Sequence, residues 1–188
     1  TGTVGAGNVT SVAVTCTTNS YTVGGTVSGL TGTGLVLQDN GGSDLTVSAS
    51  GAFTFATPVA SGATYAVTVK TQPTAPWQTC VVTSGTGTVA AANVTSVRVN
   101  CTTSFYLIGG TVSGLAGSGL VLQDNGGDDL SITASGSFTF STRVASGQAY
   151  AVTVKSQPTG PWQTCAVAGG TGTVGAGNVT SVAVTCTT

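Results

Sequence analysis

Histidine, methionine and glutamate are missing from these 188 residues, and charge of either sign is scarce. Four Lys or Arg and five Asp amount to 5% of the chain, against about 25% in an ordinary soluble domain. Without His or Glu there is no evident general base suited to neutral pH, so neither an enzyme nor a cofactor is expected. So few charges leave no electrostatic footprint for nucleic acid or for an anionic membrane surface. Long hydrophobic runs are lacking as well. Mean hydropathy is positive, yet Thr, Ser or Gly interrupts the apolar residues every one or two positions, and no stretch nears the roughly 18 residues of a spanning helix. No membrane insertion is expected. An initiator Met and a signal peptide are also absent, and the chain reads as an excerpt of a longer mature polypeptide that begins within a repeat.

What is present is repetition. The segment TGTVGAGNVTSVAVTCTT occurs at 1–18 and again at 171–188, with TGTVAAANVTSVRVNCTT between them at 86–103. Cys16, Cys101 and Cys186 are each 85 residues apart, and Tyr21/Tyr106, Phe53/Phe138, Lys70/Lys155, Trp77/Trp162 and Cys80/Cys165 keep the same step. Residues 19–103 and 104–188 are identical at roughly 70% of positions, far beyond chance for biased sequence. The organisation expected is two domains, 19–103 and 104–188, preceded at 1–18 by the last strand of a preceding repeat. Each unit is long enough to bury a modest core of its own.

Short alternating stretches rich in Val, Thr and Ala, separated by Gly, Asn and Ser turns, predict an all-β sandwich with no helix. Seven strands are expected in the first unit, near 21–28, 34–38, 44–49, 52–56, 64–71, 78–83 and 93–101. Alternation puts Tyr65, Val67 and Val69 on one face and turns Phe53 and Phe55 together into the core. Asn40-Gly41 and Asn125-Gly126 predict tight hairpins. The pairs Gly24-Gly25 and Gly109-Gly110 suggest a bulge or a close backbone approach. Exchanges between units such as Val23/Ile108 and Val47/Ile132 mark buried positions, whereas Pro58/Arg143, Ala63/Gln148 and Arg98/Ala183 mark exposed ones. Only Thr102, Thr103, Ser104 and Phe105 separate Cys101 from Tyr106, which favours semi-rigid beads over freely flexing domains.

Cys80 is in phase with Val82, and Cys101 with Val97 and Val99, so both face inward from the last two strands. Structural disulfides Cys80–Cys101 and Cys165–Cys186 are predicted, each contributing roughly 3 kcal/mol by closing a loop of about twenty residues. Paired spacing that recurs with the repeat implies an extracytoplasmic home. Cys16 shares the register of Cys101 and Cys186, and its expected partner lies upstream. Zinc is not expected, because one cysteine pair per domain without His cannot complete a tetrahedral site.

Other features are weighed the same way. Asp39, Asp44, Asp124, Asp128 and Asp129 gather at the Asn-Gly turns, where solvation of a hairpin tip is favoured over Ca²⁺, so no metal is expected. Trp77 and Trp162 sit in proline-flanked loops as possible contact residues, either packed against the disulfide or the next domain, or stacked on a sugar. Lys70 and Lys155 lack the Glu that an isopeptide reaction would need. Asn8, Asn93 and Asn178 each open an Asn-Val-Thr acceptor motif, or simply start the final strand. Edge strands nearly bare of charge are templates for pairing, so neighbouring copies of the chain are expected to cover them.

The unit running from YTVGGTVSGL through PWQTC to VRVNC resembles the tandem Ig-like repeats of large secreted or surface-attached bacterial proteins. Gly25 to Lys70, with its Gly-x-Phe and Gly-x-x-Tyr turns, also resembles prealbumin-like domains, which leaves the strand order open. The resemblance implies an extracellular or cell-surface structural role as a stalk, adhesin or filament, with copies of itself as partners. The rival expectation is a carbohydrate-binding or adhesive module that uses Trp77 and Trp162 on glycans.

Overall fold

The computed structural model describes residues 2–188. Thr1, the first residue of the expected upstream strand, lies outside the described residues. The first repeat contains β1 (Ser20–Tyr21), β2 (Val23–Ser28), β3 (Leu35–Asp39), β4 (Ser43–Val47), β5 (Gly51–Thr54), β6 (Val59–Ala60), β7 (Thr64–Thr71), β8 (Gln78–Thr83), β9 (Thr86–Thr88) and β10 (Val94–Thr103). The second contains β11 (Phe105–Tyr106), β12 (Ile108–Ser113), β13 (Leu120–Asp124), β14 (Asp128–Ile132), β15 (Gly136–Thr139), β16 (Val144–Ala145), β17 (Ala149–Ser156), β18 (Thr164–Ala168), β19 (Thr171–Thr173) and β20 (Val179–Thr187). No helix occurs among the described residues. All seven expected strands form close to where alternation places them. The two-residue β6 and the three-residue β9 are too short to leave a periodic signal.

Each repeat is a sandwich of two four-stranded sheets, ordered β5-β2-β10-β8 and β4-β3-β7-β9 in the first and repeated in the second, with a two-stranded β1-β6 pair beside them. Immunoglobulin constant domains pair their first two strands in one sheet. Here β2 and β3 lie in opposite sheets, and β2 runs parallel to the last strand, β10, with Val97 opposite Gly25 and Val99 opposite Val27. The first and last principal strands are thus hydrogen-bonded to each other in the middle of a sheet.

Inward residues of both sheets form one core per repeat. Val23, Leu35, Leu37, Phe55, Val97 and Val99 are buried in the first, and Ile108, Leu120, Leu122, Phe140, Val182 and Val184 in the second. Phe53 and Phe55 meet edge to face with ring centres 5.9 Å apart, a geometry that aligns the positive ring edge with the negative face. The glycine pair is explained by crowding. A Cβ on Gly25 would stand 1.8 Å from the Val97 carbonyl oxygen, and one on Gly24 would stand 2.3 Å from that of Phe53. Around Gly25 the ladder with β10 slips between Val94 and Val97, a bulge. Asn40 and Gly41 take the positive φ angles (49° and 68°) that the β3–β4 hairpin needs, which Asn and Gly tolerate best.

Residues 2–18 form no strand and are exposed. The same sequence at the other end forms β19 and β20 and supplies buried Val174, Val182, Val184 and Cys186 to a core.

Candidate functional site

Two places concentrate the chemistry of this chain: the cysteine strands and the joint between repeats. Cys80 and Cys101 face each other across the antiparallel β8–β10 ladder and are bonded, as are Cys165 and Cys186, with Cα atoms 3.9 Å apart in both pairs. All four are buried within the cores, so the protein belongs to a non-reducing compartment, where disulfides persist. Cys16 is a free, exposed thiol.

Beside each disulfide lies a glutamine whose role the sequence did not reveal. The Cys80 N–H donates to Gln72 Oε1 at 2.7 Å, and Gln72 Nε2 donates to the Cys80 carbonyl at 3.0 Å. Gln157 does the same for Cys165. A side-chain amide has the donor and acceptor of a peptide group, so Gln72 occupies the outer edge of β8 as a one-residue strand would. Edges β5, β8 and β9 carry no charged residue, as expected, whereas the fourth edge, β4, carries Asp44. The expectation of a bare edge nevertheless needs amendment at β8 and β18, where the glutamine blocks an incoming strand at the cysteine.

A second glutamine, also unforeseen, bolts the loop after β2 to the start of β8. Gln78 is buried, and its Oε1 accepts from the N–H groups of Thr31 (2.8 Å) and Gly32 (2.7 Å) while Nε2 donates to the Gly29 carbonyl (2.8 Å). Gln163 repeats the pattern with Ala116, Gly117 and Gly114. The available signal was that both glutamines recur at the same place in the two units. The backbone partners of Gln78 in the 29–32 loop lie more than 40 residues away in sequence, so no local pattern points to them.

The joint is built on Trp77. Only Ser104 separates β10 from β11. Its N–H donates to the Trp77 carbonyl (3.0 Å), and its carbonyl accepts from the Ser146 N–H (2.9 Å). The Trp77 N–H donates to Ser146 Oγ (3.0 Å), closing a ring of hydrogen bonds across the two repeats. Ser146 Oγ in turn donates to the Gly175 carbonyl (2.9 Å). Pro76 lies against Gly147, and the groove between the repeats is lined by Thr74, Pro76, Trp77, Ser146, Gly147 and Val174. Trp77 is 40% exposed here, whereas its counterpart Trp162 is 78% exposed.

The five aspartates do not converge, and no group of three metal-ligating side chains occurs among the described residues. Asp39 and Asp124 are buried, unlike solvated tip residues, and accept from the Ala66 and Ala151 N–H groups at 2.9 and 3.0 Å. Asp44 pairs with Lys70 and Asp129 with Lys155. The lysine hydrogen bond, helped by Gln38 or Gln123, holds each of these two carboxyls below its usual value. Asp128 accepts from the Thr142 N–H at 2.9 Å. Asn93 and Asn178 accept from the Thr22 and Leu107 N–H groups at 3.0 and 2.9 Å, tying the start of the final strand to the start of the first. No helix of the described residues is long and apolar enough to cross a membrane. No family model matches this chain, and no curated protein matches it.

Proposed function

We propose that this chain is a structural subunit of an extracellular bacterial filament or surface stalk, built to carry tension rather than to turn over a substrate. The observation that carries this reading is the parallel pairing of β2 with β10. Force enters a repeat through its first strand and leaves through its last. Because those strands are parallel neighbours, tension pulls them past each other in shear, so many hydrogen bonds must break together instead of one at a time. The strand that transmits the load is cross-linked to β8 by the disulfide and passes into the next repeat through one doubly hydrogen-bonded residue, Ser104. Forced unfolding is governed by the unfolding rate, which this geometry lowers. Scarcity of charge suits close packing among copies, and an extracellular surface supplies the oxidising surroundings the disulfides require.

Electron microscopy of the concentrated protein is expected to show filaments or beaded stalks. A preparation that stays monomeric and featureless at high concentration would overturn the reading. The exposure of Trp162 favours one competing function, an adhesive module that stacks aromatic rings on glycans. Glycan binding abolished by Trp77→Ala and Trp162→Ala would favour it, whereas unchanged filament formation in the same variants would favour the structural reading.

A further inference from the structure

We propose that Asn93 and Asn178 are acceptors of N-linked oligosaccharide, one on each repeat, attached through the side-chain amide nitrogen. The inference needs only the non-reducing compartment that the disulfides require and is independent of the filament reading.

The acceptor sequence Asn-Val-Thr recurs at 93–95 and 178–180, and the fold leaves free the atoms that the modification uses. The Thr22 N–H donates to Asn93 Oδ1 at 3.0 Å, and the Leu107 N–H donates to Asn178 Oδ1 at 2.9 Å. Because a backbone N–H is a donor only, the carboxamide oxygen must be the atom that faces it, which turns Nδ2 away. Neither Nδ2 bonds to any described residue. Asn40 and Asn125 differ, since their Nδ2 atoms are committed to the Thr64 and Ala149 carbonyls. A sugar on Nδ2 leaves Oδ1 an acceptor, so the tie between the start of the first strand and the start of the last survives attachment. Asn93, Thr95, Asn178 and Thr180 are all exposed, and neither threonine hydroxyl has a hydrogen-bond partner among the described residues. That hydroxyl is the second required element of the motif.

Position in the fold selects these two asparagines from a third match. Asn100 opens Asn-Cys-Thr, but it lies within β10 between β2 and β8, its Oδ1 accepts from Ser28 Oγ, and its neighbour Cys101 is bonded to Cys80. A central strand, laddered on both sides, cannot bend into the site of a transferase. Asn93 and Asn178 instead stand at the bends that precede β10 and β20. A Cβ added at Gly175 or Gly177 would meet nothing within 4 Å, so the approach to Asn178 is open. The co-substrate is a lipid-linked pyrophosphoryl oligosaccharide. The bond from Nδ2 to sugar C1 forms, the bond from C1 to the pyrophosphate oxygen breaks, Nδ2 gives up one proton, and the lipid pyrophosphate leaves. Nothing is oxidised or reduced. Such glycans are bulky and solubilising, and they give a hydrated surface to a chain in which 5% of residues are charged. Asn178 comes soon after Gly175, whose carbonyl accepts from Ser146 Oγ in the joint, so its glycan flanks the connection between repeats.

Tryptic peptides of the reduced protein, collected as its own cells release it, test the proposal. Cleavage after Lys70, Arg98, Arg143 and Lys155 places Asn93 in 71–98, Asn100 in 99–143 and Asn178 in 156–188. Mass spectrometry is expected to find sugar on 71–98 and on 156–188, located at Asn93 and Asn178, and none at Asn100. Thr95→Val and Thr180→Val each lose the sugar of their own repeat and keep that of the other. Their circular dichroism is unchanged, because the hydrogen bond to Oδ1 remains. Asn93→Asp also keeps an acceptor for the Thr22 N–H but lacks the nitrogen, and the sugar is lost. Recovery of either peptide wholly unmodified, sugar on Ser or Thr hydroxyls only, sugar at Asn100 in preference to Asn93, or sugar that persists in Thr95→Val and Thr180→Val overturns the proposal. The presence or absence of filaments bears on the structural reading alone.

Discussion

Gln78 and Gln72 show how a chain with almost no charge still specifies its core. A glutamine amide satisfies two or more backbone groups at once without the desolvation cost of an ion. Gln78 holds three backbone groups of the 29–32 loop, and replacing it with Ala leaves them unpaired beside a cavity. Gln78→Ala is expected to destabilise the first repeat by about 3 kcal/mol, measured by guanidinium unfolding, with the second repeat unaffected because it has its own Gln163. The ion pair Lys70–Asp44 is solvent-exposed, and pairs of that kind contribute little. Gly25 belongs to the same scale, since the Val97 carbonyl occupies the space any side chain would need.

At the scale of elements, β10 is the member on which each repeat depends. It lies between β2 and β8, supplies Val97, Val99 and Cys101 to the core and continues into the next repeat. Its cross-link is predicted to be worth about 3 kcal/mol in the chain-entropy account. Replacing Cys165 and Cys186 together with Ala is therefore expected to turn a single unfolding transition into two. The second repeat should lose structure at lower guanidinium concentration while the first keeps its midpoint, and a still-coincident transition would contradict an independent role for each disulfide. Alternation made the inward phase of these cysteines legible, because period-two patterning is local. The glutamine lid on β8 was not legible, since nothing in the sequence around Gln72 distinguishes a side chain folded onto the neighbouring strand from one extended into solvent.

At the scale of the whole molecule, the joint fixes the two repeats through Trp77, Ser104 and Ser146. Single-tryptophan variants, Trp77→Phe and Trp162→Phe, are expected to separate the two environments. The chain retaining Trp162 should be quenched by iodide more strongly than the chain retaining Trp77. Ser146→Gly, which removes the acceptor for the Trp77 N–H, should bring Trp77 quenching closer to that of Trp162. Equal quenching in the parent variants would mean that the joint does not cover Trp77. The sequence placed Trp77 in a proline-bounded loop without deciding between the disulfide, the next domain and a sugar as its partner, and the short connector implied limited flexing. The hydrogen-bond ring itself joins residues 69 apart, which no spacing rule anticipates.

The 85-residue period, the seven principal strands, the inward faces and the cysteine partners followed from the amino-acid sequence, because repetition and alternation are properties of neighbouring residues. Tertiary structure alone decided that the first strand runs parallel to the last in mid-sheet, that glutamines close the polar groups of loop and edge, and that one tryptophan is covered where its twin is open. Those outcomes depend on groups that no short period relates, some of them tens of residues apart, meeting at hydrogen-bond distance, and only the folded chain brings them together.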